Sequence, residues 1–403
     1  MKNEENMIET IKNIAKTTIS LMSLIGLIGI TGCSKESGEQ PVANRTRMEV
    51  VAFAPDFVEA ETPEAPEPSS PATRAWTPPT GYVLFSSINN LFTNQKNLEN
   101  RSIRAFFTKD GETPLDGTFF YRESTKKWWL NTDLESDTYY LYGYFPAESA
   151  SSASIAPNGT YEDGAIITIN GLSTLTPSDV CVIIGAKEGN SAEDHNGLQA
   201  GKFAVETKAK DSGDNYIFLL FDHLYSAVRF SLSVDAGYAA LREIHLRKLE
   251  LIAYTTGGVA GVRAKYNARV TLLKNETGTS PIVGSVEFTP DESSALVAPV
   301  SLFDALFDDE ITLKTTPTDL LGSFVPGDNN YFKLRSTYDV FDKKGNLLRQ
   351  NCQAENTIDL RDMFGSYLET RRGHVYSLAL KVQPTYLYML SEPDLENPTV
   401  TLQ

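Results

Sequence analysis

Histidine and cysteine are scarce: the 403 residues hold four of the first and three of the second. That scarcity excludes much chemistry. Cys33, Cys181 and Cys352 are too few for the disulfide frameworks that hold small secreted domains together. His195, His223, His245 and His374 form no HExxH-type pair, so no metal site is expected, and His223 and His245 read as structural histidines beside or within strands. There is no GxSxG elbow, Walker loop or EF-hand loop. The run Asp308-Asp309-Glu310 reads as a solvated turn, because adjacent carboxylates project in different directions and no second partner is evident. Positive charge is also in deficit. With 36 Lys and Arg against 52 Asp and Glu, the formal charge is -16, which excludes nucleic acid as the main partner because neutralising phosphates takes clustered bases. Neither a cofactor nor an enzymatic activity is expected.

Long apolar runs are equally rare. One exists, "ISLMSLIGLIGI", preceded by Lys12 and Lys16 and followed by "TGC". It is too short to span a bilayer comfortably and suits the core of a signal peptide. Thr31 and Gly32 before Cys33 resemble a bacterial lipobox, which makes residues 1–32 the signal peptide and Cys33 the acylated first residue of the mature chain. Residues 33–47 are then a tether, opening on "SKESGEQ", which resembles the tags of surface-exported lipoproteins. Acyl chains, not a spanning helix, are the expected membrane anchor.

What is abundant is alternation. "VRFSLSV" sets Val228, Phe230, Leu232 and Val234 on one face, and "VRAKYNARVTL" repeats the period of two from Val262 to Val270. "EIHLRKLELIAY" alternates as well, but its apolar phase slips between Leu246 and Leu249, which predicts a bulge; its expected partner is "VRAKYNARVTL", across "TTGG". More than ten such segments, punctuated by Gly, Pro, Asn, Asp and Ser, predict an all-β chain of two tandem β-sandwiches, residues 48–205 and 206–403. The seam is placed in the polar stretch before "FDHLYSAVRFSLSV", which opens the second domain. One helix is expected, in "LRDMFGSYLETRRG", ending at Gly373.

Between two β-like runs lies a proline-rich acidic segment carrying Asp56, Glu59, Glu61, Glu64 and Glu67 and ending in Arg74-Ala75-Trp76. So polar a segment cannot bury enough apolar surface to offset its ordering entropy, and it presents Arg74 to proteases. Arg45 and Arg47, just before the first run, are the competing basic sites.

The lipobox cysteine, the loop ending "TRAW", the motif "TYYLYGYFP", the "FDHLYSAVRFSLSV" strand and the ending "RRGHVYSLALKVQPTYLYMLSEPDLENPTVTL", in that order, resemble the fimbrillin-like lipoproteins of Bacteroidales, the type V pilins. The resemblance implies a two-domain transthyretin-like β-sandwich, exported as a lipoprotein to the outer membrane, trimmed after an arginine and polymerised by strand exchange into a fimbrium that supports adhesion. Carried onto this chain, trimming at Arg74 (alternatively Arg47) removes residues 33–74 and with them the strand 48–54, bearing Val50, Val51 and Phe53. The tail 384–403 then supplies a donor strand through Tyr386, Tyr388 and Leu390, with Val400 or Leu402 at its far end; the alternative is that these runs complete the chain's own second domain. Partners implied are other fimbrial subunits and a host or glycan ligand. A reading from a different class is a monomeric surface lipoprotein that binds glycans through Trp76, Trp128, Trp129 and the aromatics of "TYYLYGYFP".

Overall fold

The computed structural model describes residues 46–55, 57–59, 82–84, 101–122, 124, 127–132, 134–176, 178–191, 194–208, 215–254, 261–275, 282–320, 322–326, 331–360, 372–383 and 399–402. The fold is all-β. The chain runs through β1 (Thr46–Pro55), β2 (Val58–Glu59), β3 (Tyr82–Leu84), β4 (Ser102–Thr108), β5 (Leu115–Arg122), β6 (Lys127–Thr132), β7 (Thr138–Phe145) and β8 (Ser152–Asn158). It continues through β9 (Thr160–Ser173), β10 (Cys181–Gly189), β11 (Ala204–Glu206), β12 (Tyr216–His223), β13 (Tyr225–Val234), β14 (Arg242–Tyr254), β15 (Lys265–Leu273) and β16 (Val283–Pro290). The last strands are β17 (Val300–Asp304), β18 (Ile311–Thr312), β19 (Thr318–Asp319), β20 (Ser323–Pro326), β21 (Tyr331–Asp342), β22 (Leu347–Asp359), β23 (His374–Gln383) and β24 (Thr399–Leu402).

The largest sheet has nine strands in the order β10-β12-β1-β6-β5-β4-β7-β11, with β3 added beside β1. It closes on itself where β7 meets β10, through Cys181 opposite Phe145 and Val182 opposite Tyr144. Alternation along each strand sorts its side chains between two cores. Ile103, Ala105, Phe107, Leu141, Phe145, Ile217, Leu219 and Phe221 fill the interior of the closed sheet. Phe106, Tyr142, Tyr144, Phe218 and Leu220 face the other way, onto a four-stranded sheet β16-β15-β9-β8 contributing Ile167, Ile169, Ala268 and Val270. β12 is buried on both faces, which is why "YIFLLF" reads as an unbroken apolar run instead of alternating. Gly143 is required where β7 crosses β4, since a Cβ there would lie 2.0 Å from the Arg104 carbonyl oxygen.

A second sandwich packs β19-β13-β23-β2, with β20 and β24, against β17-β14-β21-β22, with β18. Phe230, Leu232, Leu249, Leu251, Phe332, Leu334, Tyr376 and Leu378 form its core. The bulge expected in β14 is present, as a register shift between Leu246 and Lys248 against β21.

Two expectations change. β14 does not pair with β15: β14 lies in the second sandwich beside β21, whereas β15 pairs with β9 and β16. For the same reason strand pairing crosses the expected seam near residue 205, because β12, β15 and β16 join sheets begun by the first half of the chain while β13 opens the second sandwich. Alternation marks a strand with one buried face and carries no record of which sheet receives it. Of the helix expected over 360–373, residues 361–371 lie outside the described residues; Leu360 is helical, Arg372 and Gly373 form a turn, and the strand expected to start at His374 does so.

Trp128 is 1% exposed inside the closed sheet, edge-on to Phe145 with ring centroids 5.5 Å apart. Trp128→Ala therefore empties a core site and should lower the unfolding free energy by about 3–5 kcal/mol, measured by urea denaturation, whereas Trp129→Ala, on the partly exposed face, should cost under about 1 kcal/mol.

Candidate functional site

β1 is an interior strand. Along one edge it runs parallel to β12, with Glu49 to Phe53 opposite Tyr216 to Leu220. Along the other it is antiparallel to β6, with Thr46 to Val50 opposite Thr132 to Trp128, and then to β3, with Phe53 to Pro55 opposite Leu84 to Tyr82. Met48, Val50, Ala52 and Ala54 point into the closed sheet and are at most 4% exposed. Burying Met48 and Val50 contributes about 1.5–3 kcal/mol each. Val51 and Phe53 pack outward against the second core, and Phe53 also meets the His195 ring at 5.4 Å. Lys127 on β6 forms an ion pair with Glu49.

The sequence therefore placed Val50, Val51 and Phe53 on a strand, but on opposite faces: Val50 with the interior core, Val51 and Phe53 with the one between the sheets. β1 ends at Pro55, whose ring removes the next ladder donor. Two residues of chain then lead to β2, which pairs in parallel with the start of β23, Val58 opposite His374 and Glu59 opposite Val375. One short segment thus belongs to both sandwiches.

The junction is built around His223, which is fully buried at the end of β12. Its Nε2 lies 2.7 Å from the Pro55 carbonyl oxygen, and its Nδ1 lies 2.6 Å from Asp179 Oδ2. A carbonyl only accepts, so Nε2 carries a proton, and a second proton lies between Nδ1 and the carboxyl oxygen. The Cys181 thiol donates to the same Asp179 oxygen at 3.0 Å. Burial, then the neighbouring Asp179 charge, pushes that thiol well above the usual range, so it stays protonated. The Phe57 ring covers His223 with centroids 4.1 Å apart and reaches Phe324 of β20 at 5.6 Å. Behind the imidazole, Arg372 Nη1 donates to Asp222 Oδ2 at 2.6 Å and to the His223 carbonyl oxygen at 3.2 Å.

Asp179, Cys181 and His223 are the one group of three metal-ligating side chains gathered among the described residues. Their ligand atoms converge: Asp179 Oδ2 lies 3.0 Å from the Cys181 sulfur and 2.6 Å from His223 Nδ1, and that sulfur lies 3.6 Å from the same nitrogen. Sequence spacing gave no hint of the cluster, since His223 stands 44 residues from Asp179 and is brought to it only by the β10–β12 pairing. Cys181 and Cys352 are both free, one in each sandwich.

The other sequence-derived sites divide. Cys33, Arg45, Arg74, Trp76, Tyr386, Tyr388 and Leu390 lie outside the described residues. Arg47 lies within β1, its backbone paired with Asn131. Val400 and Leu402 lie on β24, which pairs antiparallel with β23 of the same chain, Val400 opposite Val382 and Leu402 opposite Leu380. The aromatic surface expected for sugar stacking is mostly core: Trp128, Tyr139, Tyr142, Tyr144 and Phe145 are all buried. Trp129 is part-exposed, beneath the Arg122 guanidinium at 5.0 Å. Glu310 accepts from His245 and is held below the usual carboxylate range by that bond, so the acidic turn is tied into β14.

No family model matches the chain, and no curated protein matches it. Solved structures that it resembles include a protein assigned to cell adhesion from Bacteroides fragilis, at 13% identity over 89% of this chain and 97% of that one with a TM-score of 0.39. A fimbrial protein from Bacteroides vulgatus aligns at 12% identity over 76% of this chain and 92% of that one, TM-score 0.35. The fimbrial anchor protein Mfa2 from Porphyromonas gingivalis aligns at 9% identity over 88% and 95%, TM-score 0.26.

His223→Ala removes a donor from the Pro55 carbonyl and a partner from Asp179 at once. Leaving buried polar groups unpaired costs about 1–3 kcal/mol each, so thermal unfolding should shift down by several degrees and the Phe57 segment should become sensitive to dilute chymotrypsin before the rest of the chain.

Proposed function

We propose that this chain is the precursor of a fimbrial subunit: a non-enzymatic protein lipidated at Cys33, carried to the outer membrane, trimmed after Arg74 and polymerised by strand exchange into an adhesive surface fimbria. The observation that carries this reading is that β1 is hydrogen-bonded along both edges and is followed in sequence, after β2, by the acidic proline-rich segment that contains Arg74. A cut there severs β1 and β2 from the body of the chain while leaving β3, which lies beyond the cut. Loss of β1 uncovers the facing edges of β12 and β6 and an apolar trough, a costly state until another strand fills it. A strand donated by a neighbour does so, and because donor and acceptor surfaces differ, the contact is head-to-tail and grows without closing.

The geometry makes Arg47 a poor alternative cut site. A protease needs an extended, unpaired substrate, and Arg47 is held in the β1–β6 ladder.

The tail is constrained in the precursor. Gln383 and Thr399 are paired, so the fifteen residues 384–398 leave and return to nearly the same point. Such a loop reaches out at most about 25 Å, whereas a strand filling the whole ten-residue β1 seat spans roughly 33 Å. For the run with Tyr386, Tyr388 and Leu390 to serve as donor along that length, β24 must first separate from β23.

Limited digestion of residues 34–403 with an arginine-specific protease should give an early cut after Arg74 and then a ladder of multimers on an unboiled gel. Arg74→Ala should abolish the ladder and Arg47→Ala should leave it; a stable trimmed monomer would refute the assembly reading. Ending the chain at residue 398 should quicken ladder growth several-fold by freeing the tail, and slower growth would instead assign the donor role to Val400 and Leu402.

A further inference from the structure

The strand-exchange reading leaves open what fixes the register of the incoming strand. Apolar alternation alone does not, since a slide of two residues restores the same face to the core. Register needs a feature that recognises one residue. In this molecule that feature is the end of the seat, where His223 Nε2 requires a hydrogen-bond acceptor at 2.7 Å and the His223 and Phe324 rings take an apolar group two residues further on. Asp179 fixes the imidazole from behind, and Pro55 and Phe57 satisfy both demands in the precursor.

The tail repeats this pattern. Pro55-Asp56-Phe57 is matched by Pro393-Asp394-Leu395. Counting back from the proline, the seat's buried positions Met48, Val50 and Ala52 fall on Tyr386, Tyr388 and Leu390, and outward Val51 falls on Met389. Both runs end where proline withdraws a ladder donor. Residues 384–398, once free of β24, are long enough to cover the seat from Met48 to Phe57.

We propose that His223, braced by Asp179 and flanked by Phe324, is a register socket, and that its occupant after trimming is the tail of a second copy of this chain, with the Pro393 carbonyl replacing that of Pro55 and Leu395 replacing Phe57. The proposal rests on the fimbrial reading and specifies its contact. The tail is a poorer fit than β1: Ser391 stands at the place of Phe53, and Glu392 at that of Ala54, which is fully buried. A weaker, intermolecular strand cannot displace a better-fitting one that is covalently attached, so cleavage must come first.

The test places the photo-reactive residue p-benzoylphenylalanine at Leu395 in the chain 34–403, trims it after Arg74, irradiates the ladder and maps the adducts by mass spectrometry. Adducts between subunits, confined to residues 220–225 and 323–326, are expected, and only after trimming. A ladder whose adducts map elsewhere overturns the socket and leaves the fimbrial reading standing; absence of any ladder overturns both. As a second measure, Pro393→Ala with Leu395→Asp should slow ladder growth at least tenfold while the untrimmed chain keeps its melting temperature, and growth at the unaltered rate would overturn the socket.

Discussion

The first sandwich depends on one strand being paired along both of its edges. β1 closes the gap between β12 and β6, and the interior core of the closed sheet is continuous only because Met48, Val50, Ala52 and Ala54 line its wall. A strand at a sheet edge can fray with little consequence, whereas an interior one holds two ladders at once. The strand that does this is the first described in the chain, joined to the rest by a proline-rich segment with little apolar content. Structural necessity and a polar, proline-rich connection to the rest of the chain meet at the same ten residues.

The junction at His223 extends that dependence to the second sandwich. The imidazole holds Pro55, Phe57 caps it, β2 continues onto β23, and Arg372 just before β23 returns to Asp222 and the His223 carbonyl. Buried polar groups satisfied in this way specify one arrangement closely, because each unmade bond carries the full desolvation cost of its group. Asp179, Cys181 and His223 tie the end of β12 to the chain entering β10 and to Pro55 through such bonds.

Much of the architecture was legible from alternation. The bulge in β14 is written in the slip between Leu246 and Leu249, and the two-sided burial of β12 in its unbroken apolar run. Partner choice was not legible. β14 and β15 lie adjacent in the chain, look like a hairpin, and belong to different sheets, because β15 finds β9 nearly a hundred residues upstream. The His223 cluster was invisible for the same reason: its members come together through the β10–β12 ladder, not through spacing.

By itself the sequence determined the all-β class and the apolar run that becomes β1, since these follow from local composition and a period of two. Only the tertiary structure decided that β1 is an interior strand, that Trp128 is core and not a sugar platform, that Arg47 is held in a ladder, and that β24 turns back onto its own β23. Strand pairing is a contest among distant edges with similar hydrogen bonds. It is settled by which faces can be buried together, and no short window of sequence contains that information.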